Sequence, residues 1–258
     1  MPKINPTAII EDGAKLADDV EIGAYAYIGS EVELGEGTII AHHATVDGFT
    51  KMGKNNQVFP YAFIGGKTND LKYKGGKTGL VIGDNNVFRE YTTAHLATAD
   101  NTFTTIGNNN LFIAYSHVAH DCVVGNFVIM SAHTALGGHV RVDDHAVIGW
   151  NAGLHQFSRV GEYSMLGGCS KGSKDIPPFM MSDGFPAVPC SINKLNMQRN
   201  NFSEEEINLA FYAFKTIYKR GLSRKHAIAA LEEHPQAQTS RVLKSIIAFA
   251  KEPSQRGF

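Results

Sequence analysis

The sequence predicts a mainly β protein: a parallel β-helix of hexapeptide repeats that carries a C-terminal α-helical domain. Three observations predict it. Apolar residues recur at every sixth position, glycine and asparagine cluster at fixed offsets from them, and the period stops before a stretch patterned for helices.

The repeat starts at Ile4 and steps through Ile10, Leu16, Ile22, Ile28, Leu34, Ile40, Val46, Met52, Val58 and Ile64 without a miss. With 43% apolar residues, such a run arises by chance about once in ten thousand. The register breaks across residues 66–80, resumes at Ile82, Phe88 and Ala94, and breaks again near residues 97–104. It restarts at Ile106 and continues through Phe112, Val118, Val124, Met130, Leu136, Val142, Ile148, Leu154, Val160 and Leu166. Glycine often follows the apolar residue, as at Gly23, Gly35, Gly53, Gly107 and Gly149. The residue two before it is small or β-branched, as at Ala8, Ala26, Thr38 and Thr134. Each unit reads as a short strand and a sharp turn. The aliphatic side chain points into a narrow core, and glycine or asparagine at the corner permits left-handed backbone angles. Three units close one triangular coil, and coils stack at about 4.8 Å. An antiparallel sandwich would repeat every two residues and an amphipathic helix every 3.6. Neither fits.

After Leu166 the repeat ends, and Pro177, Pro178, Pro186 and Pro189 mark an irregular connection. The β-helix domain is expected over residues 1–190 and a helical domain over residues 191–258. Ser203 and Glu206 form a capping box ahead of the stripe Ile207, Ala210, Phe211, Phe214, Ile217 and Tyr218, with Gly221 as its stop. A second helix starts at the Ser223 cap and carries Ala227, Ile228 and Leu231. A third carries Val242, Leu243, Ile246, Ile247 and Phe249. So small a tail is expected to pack on the β-helix.

Composition narrows the function classes. Charged residues make up 19% and the net charge is -1, which gives no overall pull toward nucleic acid or membrane. Cys122, Cys169 and Cys190 are too scattered for a disulfide framework or a zinc knuckle. No signal-peptide run or transmembrane segment is present, so a reducing cytoplasm is the expected compartment.

A β-helix buries its inward side chains in a dry core, so chemistry belongs on the outer faces and in the loops that interrupt the repeat. The chain has 11 histidines. His42, His43, His95, His133, His145, His226 and His234 read as ordinary surface or corner residues. His117, His120, His139 and His155 stand in denser motifs. His120 and His139 are separated by one coil plus one position, so they should meet near one corner on adjacent coils. Such a cluster suits either metal ligation or general base catalysis near neutral pH. Spacing leaves both open.

The residue context is more specific. Asp-Leu-Lys-Tyr (70–73), His-Val-Ala-His-Asp-Cys (117–122), Gly-Gly-His-Val (137–140), Leu-His-Gln-Phe (154–157), Gly-Gly-Cys-Ser (167–170) and Asp-Ile-Pro-Pro (175–178) occur together. With these motifs the chain resembles the UDP-N-acetylglucosamine O-acyltransferases, which begin lipid A synthesis, over nearly its whole length. The resemblance implies a left-handed parallel β-helix, although the general preference for right-handed crossovers would have predicted otherwise. It also implies a homotrimer with clefts between chains.

By motif, His120 is then the general base, Asp121 orients it, and the Gly138 N–H holds the developing oxyanion. His117, His139, His155 and Gln156 line the sugar and acyl site, while Asp70 and Lys72 hold sugar hydroxyls and a phosphate. Gly168 matches the position that limits acyl length, and Asn193 and Arg199 are candidates for the uridine and phosphates. The implied donor is acyl carrier protein, the acceptor a UDP-sugar, and no metal or other cofactor is required. A basic run on the tail, Lys215, Lys219, Arg220, Arg224 and Lys225, would suit an acidic carrier protein.

Some positions depart from the family pattern. Its nucleotide stretch often reads Asn-x-x-Gly-Leu-Lys-Arg-Arg-Gly-Phe-Ser; here a second arginine is Asn200 and an acidic position is Leu195. Pro186 replaces a histidine that borders the acyl groove in some relatives. Competing readings are an N-acyltransferase acting on a UDP-3-amino sugar or a later lipid A precursor, a zinc-dependent β-helix carbonic anhydrase, and a non-catalytic β-helix binder.

Overall fold

Parallel pairing one coil apart builds the structure, a computed structural model that describes residues 1–258. Ile4 pairs with Ile22, Ile22 with Ile40 and Ile40 with Val58, so each inward residue lies over its counterpart in the next coil. Three sheets of eleven, nine and eight strands form the faces of a prism. The first face begins with Lys3–Ile4 and Glu21–Ile22, the second with Ile9–Ile10 and Tyr27–Ile28, the third with Lys15–Leu16 and Glu33–Leu34. The core is the column of inward side chains. Ile28, Ile40, Ile64, Met130 and Leu136 are fully buried, and the Phe88 and Phe112 rings stack at 4.8 Å. Ile4 stays 44% exposed because the first coil has a neighbour on one side only.

The corners correct one expectation. The glycine after the apolar residue is not the left-handed position: among such glycines Gly65 has φ +86, whereas Gly23, Gly53 and Gly107 have ordinary angles. The left-handed residue comes two further on, as at Tyr25, His43, Asn55, Tyr61, Asn85, Asn109, His139 and His145, with φ between 55° and 63°. Glycine serves close approach instead. A Cβ on Gly107 would lie 2.6 Å from the Gly125 carbonyl oxygen in the next coil.

A left-handed residue costs about 1–2 kcal/mol, and two contacts offset it. Its N–H donates to a carbonyl of the preceding coil, as from Asn55 to Glu36 at 2.8 Å and from His145 to Asn126 at 2.8 Å. Its side chain also lies over the same position one coil on. Tyr61, Tyr91, Tyr115 and His133 form one such ladder, with centroids 4.8–5.2 Å apart. A net hydrogen bond contributes about 1 kcal/mol and an aromatic pair about 0.5–1.5 kcal/mol.

Buried asparagines tie the middle coils together. The Asn86 side-chain amide donates to the Asn56 side-chain oxygen at 3.0 Å and to the Gly107 carbonyl at 2.9 Å. Its own oxygen accepts the Asn110 N–H at 3.0 Å, and Asn110 repeats the pattern toward Gly125 and Val128.

Both breaks in the period leave the prism at one edge. Gly66 and Gly79 bound the first loop, His95 and Phe103 the second, and each joins the second face to the third. Beyond Leu166, the expected irregular connection is largely regular: Lys171–Gly172 extends the second face, and Met180–Gly184 pairs antiparallel with Ala187–Ile192. Four helices follow rather than three: α1 (Lys194–Arg199), α2 (Glu204–Tyr218), α3 (Arg224–Glu232) and α4 (Arg241–Lys251). The short α1 has no apolar stripe and buries only Met197, so periodicity could not announce it. The capping box of α2 is present, with Ser203 N–H donating to Glu206 at 2.8 Å. α4 is fastened to the third face through Glu252, which pairs with Arg141 at 2.6 Å and with buried Arg159 at 3.0 Å. No helix is long and apolar enough to cross a membrane.

Asn86→Ala strands the Asn110 N–H and the Gly107 carbonyl in the core. It is expected to lower stability by about 2–4 kcal/mol, read as a thermal midpoint several degrees below that of the parent. An unchanged midpoint would mean that the asparagine ladder contributes nothing net.

Candidate active site

The edge between the second and third faces carries a cluster of polar groups. The strand His117–Val118 lies on the second face, and the chain turns through His120 and Asp121 onto the third. One coil on, His139 occupies the same corner in the left-handed conformation, φ +60, and its N–H donates to the His120 carbonyl at 3.1 Å. The two rings stand perpendicular with centroids 5.4 Å apart. The coil period thus brings together the two histidines that the spacing predicted.

His120 Nδ1 lies 2.8 Å from an Asp121 carboxylate oxygen and 3.1 Å from the Thr98 hydroxyl. A carboxylate that close requires a proton on Nδ1, which leaves Nε2 as the free, basic nitrogen. Burial opposes the charge on Asp121. The His120 ring, the Thr98 N–H and hydroxyl, and His139 outweigh it and hold the carboxyl below its ordinary range. Gly138 lies directly beneath the ring: a Cβ there would sit 2.5 Å from His120 Nε2, so no other residue leaves the ring in this place. Gly138 is buried as a residue, and its N–H finds no acceptor within the chain.

The first insertion loop reaches the same place. One donor atom each from Asp70, His120 and His139 come within 4.8 Å of one another, a set that a cation or a sugar's hydroxyls could occupy. Asp70 also shapes its own loop by accepting the Lys72 N–H at 2.9 Å, and the segment around Leu71 and Lys72 is exposed.

His117 sits behind this cluster on the second face, bonded to the Thr93 hydroxyl at 2.8 Å and edge-on to His95 at 5.0 Å. Burial, then the neighbouring His95 and His120, push the His117 imidazole down to about 4. His95, read from the sequence as an ordinary surface residue, therefore belongs to the site. Thr98, Thr93 and Thr68 were missed as well. For Thr93 the signal was the coil period carried across the second insertion to His117, whereas Thr68 and Thr98 lie within the insertions, where the period supplies none.

The remaining candidates lie apart on this chain. His155 and Gln156 occupy the same edge one coil beyond His139, held by Arg256, which meets His155 Nδ1 at 2.6 Å and the Gln156 carbonyl at 2.8 Å. Gly168 lies on the edge between the first and second faces, where a Cβ would approach the Trp150 carbonyl at 3.3 Å. Asn193 and Arg199 lie near the third edge, between the third and first faces. The Asn193 side chain donates to the Tyr163 carbonyl at 3.0 Å and caps α1. Arg199 lines a hollow of about 650 Å³ with Asn109, Phe127, His145 and Met165, and none of the groups around His120 borders it. In the basic run, Arg224 is already engaged, donating to the Ala250 carbonyl at 2.8 Å and stacking on Phe258.

The native site resists a proton on His117, whereas the unfolded chain accepts one below about pH 6.5. Stability is therefore expected to fall as pH drops from 6.5 through 4, with no contribution from this residue above that window. Denaturation midpoints measured across pH 4–8 should show a shallower decline in His117→Gln; an identical decline would remove the assignment.

Comparison with known proteins places the chain. Residues 175–258 match the family described as Udp N-acetylglucosamine O-acyltransferase, domain 2, and residues 13–48 match the bacterial transferase hexapeptide of six repeats. The chain is 47% identical over its full length to the acyl-[acyl-carrier-protein]–UDP-N-acetylglucosamine O-acyltransferase of Saccharophagus degradans and spans 99% of it. Identity to the protein of the same name from Burkholderia lata is 42%, over 100% of this chain and 99% of that one. The solved Francisella novicida UDP-N-acetylglucosamine acyltransferase superposes with a TM-score of 0.93 at 36% identity, over 98% of this chain and 92% of that one. The coil is accordingly a left-handed parallel β-helix, and the chain belongs to the UDP-N-acetylglucosamine O-acyltransferase family.

Proposed function

We propose that this chain transfers a 3-hydroxyacyl group from acyl carrier protein to the 3-hydroxyl of UDP-N-acetylglucosamine, the first step of lipid A biosynthesis, with His120 as general base. The observation that carries the reading is the convergence of His120, Asp121 and His139 beside Gly138, whose N–H is unpaired, in a chain of this family. His120 Nε2 takes the proton of the 3-hydroxyl as that oxygen attacks the thioester carbonyl. The Gly138 N–H receives the oxyanion, in a buried position where a fixed donor is worth more than in water. Collapse of the tetrahedral intermediate expels the pantetheine thiolate, which recovers the proton from the His120 imidazolium. Asp121 offsets the charge on that imidazolium. A thioester is already activated, so this chemistry asks for no metal or other cofactor.

Asp70 and Lys72 on the first loop suit the sugar hydroxyls and a phosphate, with His139 beside them. Neutral His117 contributes an apolar wall and a hydrogen bond rather than a charge. His155 and Gln156 border the acyl path, and Gly168 leaves its far end open to a longer chain. Lys215, Lys219, Arg220 and Lys225 are the cations of the tail we assign to docking an acidic carrier protein.

Asn193 and Arg199 can serve the same substrate only if two chains share a site. Their edge and the His120 edge lie on opposite sides of the third face. Packing the first face of one chain on the second face of another brings the two edges together, and repeating that contact closes a homotrimer. The outward residues favour this choice of faces. Beyond Lys3, Glu21 and Gln57, the first face is apolar through Val87, Leu111, Ile129, Val147 and Met165, whereas the third carries Lys15, Glu33, Lys51, Arg141 and Arg159 around Val81 and Val123.

In an assay with UDP-N-acetylglucosamine and a series of 3-hydroxyacyl carrier proteins, the parent chain is expected to form the 3-O-acyl product and to keep its activity after chelation. His120→Ala should lose about a hundredfold or more in kcat. A mutant as active as the parent would overturn the base, and activity abolished by chelation would favour the zinc reading. Co-refolding equal amounts of His120→Ala and Arg199→Ala chains should recover roughly a quarter of the parent activity by random mixing. No recovery above either mutant alone would overturn the shared site.

A further inference from the structure

The Thr98 hydroxyl lies 3.1 Å from His120 Nδ1 and 2.9 Å from the Thr68 hydroxyl, while the Thr98 N–H donates to the second Asp121 oxygen at 3.1 Å. Thr98 stands on the second insertion loop and Thr68 on the first. The Thr68 hydroxyl in turn accepts the N–H of Asp70 at 3.1 Å. A continuous chain of hydrogen bonds therefore runs from the loop that carries Asp70, through two threonine hydroxyls, to the nitrogen of the base that faces away from substrate.

We propose that Thr98 is a positioning residue for the base, fixing the Asp121 carboxylate and the His120 ring together and coupling both to the Asp70 loop through Thr68. The reason is geometric. Asp121 follows His120 directly, and its N–H is held by the Thr104 hydroxyl at 2.8 Å, which sets the backbone but not the carboxylate. Thr98 supplies the N–H that orients one carboxylate oxygen, and its hydroxyl shares the Nδ1 proton with the other. Without them the carboxylate could rotate toward His139, whose Nε2 already lies 3.6 Å away. Thr98 also lends donors to an anion that burial opposes, which keeps Asp121 ionised while His120 cycles through its charged form. The ionisable groups facing the pair are Asp70 from the first loop, His139 from the next coil, and His95 and His117 from the second face.

This inference rests on His120 being the base, and the experiment separates the two. Steady-state kinetics against pH would be measured for the parent, Thr98→Val, Thr98→Ser, Thr68→Val and His120→Ala, each with a thermal midpoint. Thr98→Val is expected to lower kcat about 10- to 100-fold with KM for the UDP-sugar within about threefold. Its acidic limb in kcat/KM should move from the parent's, because the Nδ1 proton loses one of its two acceptors and, from residue 98, the carboxylate keeps only the Thr98 N–H. Thr98→Ser should return kcat to within about threefold of the parent. Thr68→Val should lower kcat/KM by a few-fold with the acidic limb unmoved. If Thr98→Val does not fold, Thr98→Ala takes its place against Thr98→Ser. A normal kcat in the hydroxyl-free variant, or a serine variant as impaired as valine with the limb unmoved, overturns the role of Thr98. A silent Thr68→Val overturns the coupling to the loop. An active His120→Ala overturns the base reading itself, and the inference with it.

Discussion

The backbone hydrogen bond from one coil to the next is the constraint on which the rest of this structure depends. A parallel ladder with a short period leaves no room for ordinary turns, so the chain must bend within four residues at every corner. At most corners it does so by placing one residue in the left-handed region and aiming its N–H along the prism axis at the preceding coil. The penalty for that conformation recurs in every coil and is offset locally, by the hydrogen bond and by stacking of like side chains. Histidines, tyrosines and phenylalanines that look ornamental in the sequence are thus corner residues first. Glycine answers a different need at the same corners, since the next coil passes too close for a Cβ.

This constraint also decides where chemistry is possible. The inward side of each strand is filled, so reactive groups can gather only on the outer faces and edges. Successive coils then present the same corner at a fixed spacing, and a side chain on one coil meets its neighbours on the next without any loop to deliver them. His120 and His139 are related in this way. The insertions add what the regular coil cannot: Asp70 and Thr98 arrive from loops that leave the prism at the same edge. Where the second insertion displaces the preceding coil, the Asp121 N–H takes the Thr104 hydroxyl in place of a carbonyl.

The prism shape separates the two groups of candidate residues. Polar groups suited to proton transfer lie along one edge and the Arg199 hollow along another, with the charged third face and the helical domain between them. A flat-sided prism does not fold back on itself, and within one chain the hollow beside Arg199 stays apart from the groups around His120. The apolar first face and the histidine-bearing second face are the surfaces suited to the packing proposed between chains.

The coil is legible in the chain alone, because a side-chain period of six survives without knowledge of any contact. The sequence also located His120 and His139 at one corner, since counting by coils is enough where the period is unbroken. It placed left-handed angles at glycine or asparagine; Asn55, Asn85 and Asn109 hold them, but the glycine directly after the apolar residue mostly does not, because glycine's freedom and its small volume leave the same mark in a sequence. Helix α1 escaped notice because it buries a single residue, Met197, and so carries no stripe. His95, Thr68 and Thr98 were decided only by the tertiary structure. They stand beside or within the insertions, where the period lapses and distance along the chain no longer maps to position in space. The same holds for Asn193, whose side chain is occupied by the Tyr163 carbonyl and the helix cap. A motif names the residue, but only packing shows which of its atoms remain free.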